Sequence, residues 1–189
     1  LNIPSGKRVY PLASSENNHM ISTLQRPNLI EPAGMHLAAK FIMDICNENN
    51  LIPNLYDLYS CFPVAVQMFA KSLKLNDIKD KTVTGAMPFA GGPLNSYVLH
   101  STAKLIQKLR ENNGVGIVTG VSGMMTKQSY ALWSKNPCID FRYEDCTKKA
   151  SEIELPVELS DKKNGSGKII GYTILIKDNP NKAIIFVDT

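Results

Sequence analysis

The sequence predicts an α/β fold, in which helices cover a partly parallel sheet, followed by a small β-rich unit. Between residues 7 and 137, short β-type segments alternate with segments of helical periodicity in the order β-α-β-α-β-α-β-β. After Pro137, only short β-type segments separated by polar, glycine-containing turns follow. We therefore expect an α/β domain at residues 1–137 and a second, incomplete β-rich domain at residues 138–189.

The first elements are a strand, a loop and a helix. Lys7–Ala13 has the β-type residues of a short strand, and the polar segment Ser14–Pro32 is typical of a loop. From Ala33 to Asn47, apolar residues recur at spacings of three and four, which predicts an amphipathic helix with Pro32 next to its first turn. The further elements of this domain are predicted, in chain order, as a strand at Asn54–Tyr59, a helix from Phe62, a strand at Thr82–Thr84, a helix from Asn95 to Asn112, and strands at Val115–Thr119 and Lys127–Trp133.

The C-terminal segment has the pattern of a β meander. Its predicted strands are Ile153–Leu159, Lys168–Ile176 and Ala183–Val187, with turns at residues 162–167 and 177–181. Three strands make a marginal unit on their own, so we expect this OB-like domain to be truncated.

Composition excludes several classes of function. With 43% hydrophobic and 20% charged residues, the chain is that of a globular protein, and it contains no apolar run of the ~20 residues that a membrane span needs. No Lys/Arg stripe interleaved with aromatic residues indicates a nucleic-acid surface. The four cysteines lack CxxC spacing, so we expect no metal site, free thiols and a cytoplasmic location. The chain begins with leucine, and we expect it to be a fragment.

Three turns rich in small residues follow predicted strands. They contain Tyr59-Ser-Cys-Phe62, Gly91-Gly-Pro93 and Gly120-Val-Ser-Gly123. Because ligands bind beyond the carboxyl ends of strands in open α/β sheets, we expect the three turns to line one cleft.

In order and spacing, these turns resemble the three active-site loops in the C-terminal half of the thiolase superfamily. The resemblance covers residues 7–137 and is closest to thiolase-like, acetyl-CoA acetyltransferase-like proteins with an additional C-terminal β-domain. It implies an acyl-CoA ligand, a place in lipid metabolism and no covalently bound cofactor. It also implies a partner, either the missing N-terminal thiolase half or another protomer.

The side chains that perform thiolase chemistry differ at each turn. Aligned on Phe62, the family's Asn-Glu-Ala-Phe or His-Asp-Cys-Phe loop places Tyr59 at the Asn/His position. The family's Gly-His-Pro has Gly92 in place of histidine, and its Cys-x-Gly-Gly has Gly120 in place of cysteine. The resemblance therefore implies an acyl-CoA pocket that does not perform the ordinary thiolase reaction. The expected pocket residues are His19, Ser60, Phe62, Gly91, Gly92, Pro93, Gly120, Ser122 and Gly123.

Catalysis by other groups stays open at this point. Cys61 lies at a predicted helix N-terminus, which would lower its thiol pKa, although a packing role is the alternative. His100 lies about two turns from Gly92 and could reach the cleft, or could be a surface residue. The competing functions are a divergent acyltransferase that uses Cys61, Tyr59 or His100, and an interaction module.

Overall fold

A five-stranded mixed sheet organises the fold in the computed structural model, which describes residues 2–77, 81–160, 164–176 and 182–189. Its strand order is β2-β3-β4-β1-β5. The strands are β1 (Tyr10–Asn17), β2 (Leu55–Asp57), β3 (Val115–Ser122), β4 (Met124–Ser134) and β5 (Arg142–Asp145). β2 runs parallel to β3 and β5 runs parallel to β1, whereas β4 is antiparallel to both of its neighbours. The predicted α/β class with a partly parallel sheet is confirmed.

Helices cover both faces of this sheet. They are α1 (Ala33–Glu48), α2 (Pro63–Ser72), α3 (Met87–Ala90), α4 (Tyr97–Glu111) and α5 (Thr147–Ile153). α1 and α2 bury Ile42 and Phe69 in one core with Ile117 of β3, while Leu105 of α4 packs with Val118 in a second core. Because successive strand residues point to opposite faces, Ile117 and Val118 place α4 on the face opposite α1. None of the described helices is long and apolar enough to cross a membrane.

The first strand is longer than predicted. β1 continues to Asn17, into the segment predicted as a loop. Two polar side chains of this extension are buried and hydrogen-bonded: Ser15 Oγ donates to the Ala38 carbonyl oxygen at 2.8 Å, and Asn17 Nδ2 donates to the Thr126 carbonyl oxygen at 2.5 Å. Asn17 also explains Gly34, since a Cβ on Gly34 would lie 2.0 Å from Asn17 Nδ2.

The prediction of a strand at Thr82–Thr84 is wrong. Only an isolated bridge between Thr82 and Asp57 forms there. The threonine hydroxyls donate to the Asp57 carboxylate instead, so the segment is ordered by side-chain bonds. The following helix starts at Tyr97 rather than Asn95, after a 3₁₀ turn at Leu94–Ser96.

The chain after Pro137 returns to the sheet. β5 pairs in parallel with β1, and Ala150 of α5 is fully buried. The five-stranded sheet therefore extends past residue 137, where the domain boundary was expected.

The prediction of a strand at Ile153–Leu159 is wrong, since Ile153 ends α5 and residues 154–159 form no regular element. The two later strands are confirmed as the antiparallel hairpin of β6 (Lys168–Leu175) and β7 (Lys182–Asp188). The expected turn at residues 177–181 and residues 162–163 of the other turn lie outside the described residues.

Candidate functional site

A cavity of about 310 Å³ lies between the N-terminal end of α4 and the ends of β3 and β4. The first turn contributes Tyr59 to its wall, and the third contributes Gly120, Ser122 and Gly123. Leu94 and Asn95, which directly follow the second turn, complete this side. The first and third predicted turns, and the segment that follows the second turn, thus line the same cavity.

The other predicted site residues lie outside the wall of this cavity. Phe62 is exposed, and His100 is exposed on α4. His19 is half-buried, with Nε2 2.8 Å from the carbonyl oxygen of Glu154. Ser60, Cys61, Gly91, Gly92 and Pro93 belong to the loops next to the cavity without lining it.

Tyr59 contacts both β3 and α4. Its backbone N–H donates to Thr119 Oγ1 at 2.8 Å, and its ring packs edge-on against that of Tyr97 with centroids 5.6 Å apart. Burial raises the pKa of the Tyr59 phenol, and Cys61 and Tyr97 add to the increase. The phenol therefore stays protonated at neutral pH and can donate a hydrogen bond to a bound oxygen.

A buried carboxylate that the sequence analysis did not single out organises the loops below the cavity. Asp57 is fully buried at the end of β2. Its Oδ1 accepts hydrogen bonds from Tyr97 Oη at 3.0 Å and from Ser101 Oγ at 2.6 Å. Its Oδ2 accepts from Thr82 Oγ1 at 3.0 Å, and from Thr84 N at 3.0 Å and Thr84 Oγ1 at 2.8 Å. Both carboxylate oxygens are thus saturated, as a buried carboxylate requires.

Through Thr82, this carboxylate fixes Ala86, at the start of the loop that leads to the second turn. The N–H of Ala86 donates to Thr82 Oγ1 at 2.9 Å, and Ala86 has φ 69° and ψ 173°, a conformation that non-glycine residues rarely adopt. The N–H of Met87 donates to Ser60 Oγ at 3.0 Å, which joins the second loop to the first. The signal for this arrangement in the sequence is an acidic residue at the end of an apolar strand.

Gly120 leaves the cavity wall without a side chain. A Cβ at this position would lie 2.8 Å from Ser129 Oγ and 3.3 Å from Val98 Cγ2. The neighbours of Gly120 thus occupy the space that a larger residue would need. Gly123, with φ 76°, ends the same loop in the left-handed region that glycine favours.

The expectation of a lowered pKa at Cys61 is wrong. Burial raises the pKa of this half-buried thiol, although the backbone N–H groups of Phe62 and Cys61 act in the opposite direction. Desolvation of the thiolate outweighs its hydrogen bonds here. Within the described ranges, no group of three or more His, Cys, Asp or Glu residues is arranged to hold a metal ion.

Comparison with known proteins links this fold to thiolases. No family model matches the chain, and no curated protein sequence matches it. Among solved structures, it is similar to a monomeric SCP2-thiolase-like protein type 1 from Mycobacterium smegmatis, with 25% identity and a TM-score of 0.83. The alignment covers 99% of this chain and 42% of that protein. The chain therefore has a thiolase-like fold and spans less than half the length of this relative.

Proposed function

We propose that this chain is the C-terminal part of a thiolase-like, acyl-CoA-binding protein related to acetyl-CoA acetyltransferases. The observation that carries the proposal is the cavity at which Tyr59, Gly120, Ser122 and Gly123 meet. The thiolase-like fold of the chain supports it. We also propose a cytoplasmic location and a role in lipid metabolism.

The proposed protein is not an ordinary thiolase. The thiolase reaction needs an activated thiol that takes up the acyl group and a second group that moves the proton at the substrate α-carbon. No cysteine or histidine lines the cavity in the described part of the chain. The groups present there instead favour binding: the phenol of Tyr59, the hydroxyl of Ser122 and the main chain of the third turn can hold a thioester oxygen.

A divergent acyltransferase is the second candidate, and Tyr59 is its most favourable residue. Of Cys61, Tyr59 and His100, only Tyr59 lines the cavity. A phenol could donate to the thioester oxygen during acyl transfer to a nucleophile supplied by the missing N-terminal half or by another protomer.

An interaction module is the third candidate, favoured by the hairpin of β6 and β7. Tyr172 is 72% exposed and Ile174 is 55% exposed, so the hairpin presents apolar side chains to solvent. We propose that this hairpin belongs to an OB-like domain and packs against a partner protein.

The experiment is calorimetric titration of the full chain with CoA, acetyl-CoA and acetoacetyl-CoA, together with an assay of acetoacetyl-CoA thiolysis. We expect binding without thiolysis. Gly120→Val should weaken binding because its side chain would displace Ser129 and Val98, which line the cavity. Gly6→Val is the matched control, since a Cβ on Gly6 would meet no atom within 4 Å.

Two results would contradict the proposal. If neither CoA nor its thioesters bind the folded chain, the acyl-CoA assignment fails. If acetoacetyl-CoA is cleaved at the rate of an ordinary thiolase, the proposed loss of that reaction is wrong.

A further inference from the structure

Lys127 places a positive charge without a bound counter-charge in the wall of the cavity. It lies near the start of β4, where the strand alternates between its two faces. Thr126 and Gln128 are buried and Lys127 and Ser129 are half-buried, and the cavity is lined by Lys127, Gln128 and Ser129. Among the described residues, Lys127 forms no salt bridge and no side-chain hydrogen bond.

The carboxylate of Glu16, which lines the same wall, is held by a hydrogen bond to β5. Glu16 Oε1 accepts a hydrogen bond of 2.7 Å from the phenol of Tyr143 on β5. No ion pair joins Glu16 to Lys127. The ammonium group of Lys127 is thus available to a ligand, and a partly desolvated cation gains from an anionic partner.

The rest of the wall suits a small, polar ligand group. Asn18 and Ser122 lie in the segments that flank the start of β4, and both line the cavity. Asn95 and Ser129 add further hydrogen-bonding side chains. A volume of about 310 Å³ is at the lower end of the range of ligand pockets, which favours a short group over a long aliphatic chain.

Resting on the proposed function, we infer that this cavity selects short acyl thioesters whose acyl group carries a carboxylate, and that Lys127 binds that carboxylate. Succinyl thioesters are a representative of this class. The polar side chains around Lys127 donate hydrogen bonds to the remaining lone pairs of the carboxylate. An acyl group of equal length with a methyl end would leave the ammonium group without a partner.

The test compares succinyl-CoA with butyryl-CoA by calorimetric titration of the full chain. We expect succinyl-CoA to bind about tenfold more tightly, the gain typical of a hydrogen bond to a charged group. Lys127→Gln should remove this preference, so that succinyl-CoA and butyryl-CoA bind with equal affinity. Lys127→Arg should retain the preference, and Lys104→Gln, at an exposed position on α4, is the control that should change neither affinity.

Phosphate-free thioesters identify the source of the anion. Succinyl and butyryl thioesters of N-acetylcysteamine carry no phosphate, so a preference for the succinyl compound that depends on Lys127 would assign the charge to the acyl group. If Lys127→Gln weakens the binding of CoA itself and leaves the two phosphate-free compounds equal, Lys127 binds a phosphate of CoA and the inference is overturned.

The remaining outcomes separate this inference from the proposed function. Equal affinities for succinyl-CoA and butyryl-CoA, or a preference that survives in Lys127→Gln, would overturn the inference and leave acyl-CoA binding intact. Failure of every CoA compound to bind would overturn the proposed function, and the inference with it.

Discussion

The phenol of Tyr97 donates a hydrogen bond of 3.0 Å to Asp57 Oδ1. This bond joins the start of α4 to the end of β2. Ser60 Oγ lies 3.2 Å from the same phenol oxygen and donates to it. The edge of the Tyr97 ring also meets Tyr59, which lines the cavity. The position of the cavity wall therefore depends on a carboxylate that lies outside the cavity.

Replacement of Asp57 by asparagine should strongly destabilise the fold. Five hydrogen bonds from side-chain or backbone donors converge on this carboxylate, and an amide would present its own N–H groups to some of them. We expect a loss of about 3 kcal/mol in the free energy of unfolding. Urea denaturation measures it, and Asp44→Asn, at an exposed residue paired with Lys40, should cost less than about 1 kcal/mol. Equal effects of the two substitutions would refute the role given to Asp57.

Replacement of Ala86 by glycine should stabilise the protein. Ala86 has φ 69° and ψ 173°, a region that glycine occupies without the steric cost of a Cβ. Relief of this strain should raise the free energy of unfolding by about 1 kcal/mol, net of the greater chain entropy of glycine. The matched control is Ala103→Gly within α4, which should lower it by about 1 kcal/mol. A stability loss at both positions, measured by thermal melting, would contradict the prediction.

Gly120 and Ser129 should behave as an interacting pair. Gly120→Ala places a Cβ 2.8 Å from Ser129 Oγ, and we expect it to cost about 1–3 kcal/mol of stability. Ser129→Ala removes that oxygen, so the double variant should recover most of the loss. A double-mutant cycle measured by urea denaturation gives the coupling, and strict additivity would show that the two positions do not compete for space.

Alkylation of Cys61 should be slow at neutral pH and should increase with pH. Burial raises the pKa of this thiol, so the reactive thiolate is scarcer than in a free cysteine until the pH passes the raised value. The exposed Cys138 should react with iodoacetamide first. Mass-spectrometric mapping of the alkylated peptides at pH 7 and pH 10 checks the order. A Cys61 that reacts faster than a free thiol at pH 7 would point instead to an activated nucleophile.

Helices of the fold were predictable because their apolar residues repeat at helical spacing. The predicted helix from Ala33 to Asn47 differs from α1 by one residue, and the predicted start at Phe62 is next to that of α2. β6 and β7 were predictable for the corresponding reason, since β-branched and aromatic residues fill both.

Elements held by side-chain hydrogen bonds or by distant strands were not predictable from local pattern. Thr82–Thr84 has β-branched residues, yet its hydroxyls bind Asp57 from far along the chain. The charged segment Arg142–Asp145 becomes β5 only because β1 offers it a free edge. The order of the turns predicted that Tyr59 and Gly120 would lie at one cavity. The place of Lys127 in its wall instead depends on the pairing of β4 with β3, which is irregular between Val121 and Ser122.

The parallel pairing of β5 with β1 has a practical consequence for making shorter versions of the protein. A fragment that stopped at Pro137, where the composition changes, would expose the backbone of Ala13–Glu16 as a sheet edge and remove the helix whose Ala150 packs on the core. Exposed edges of this kind recruit strands from other molecules. A soluble α/β fragment should therefore extend through Glu154, whose carboxylate accepts a hydrogen bond of 2.8 Å from the N–H of Ala33 at the start of α1.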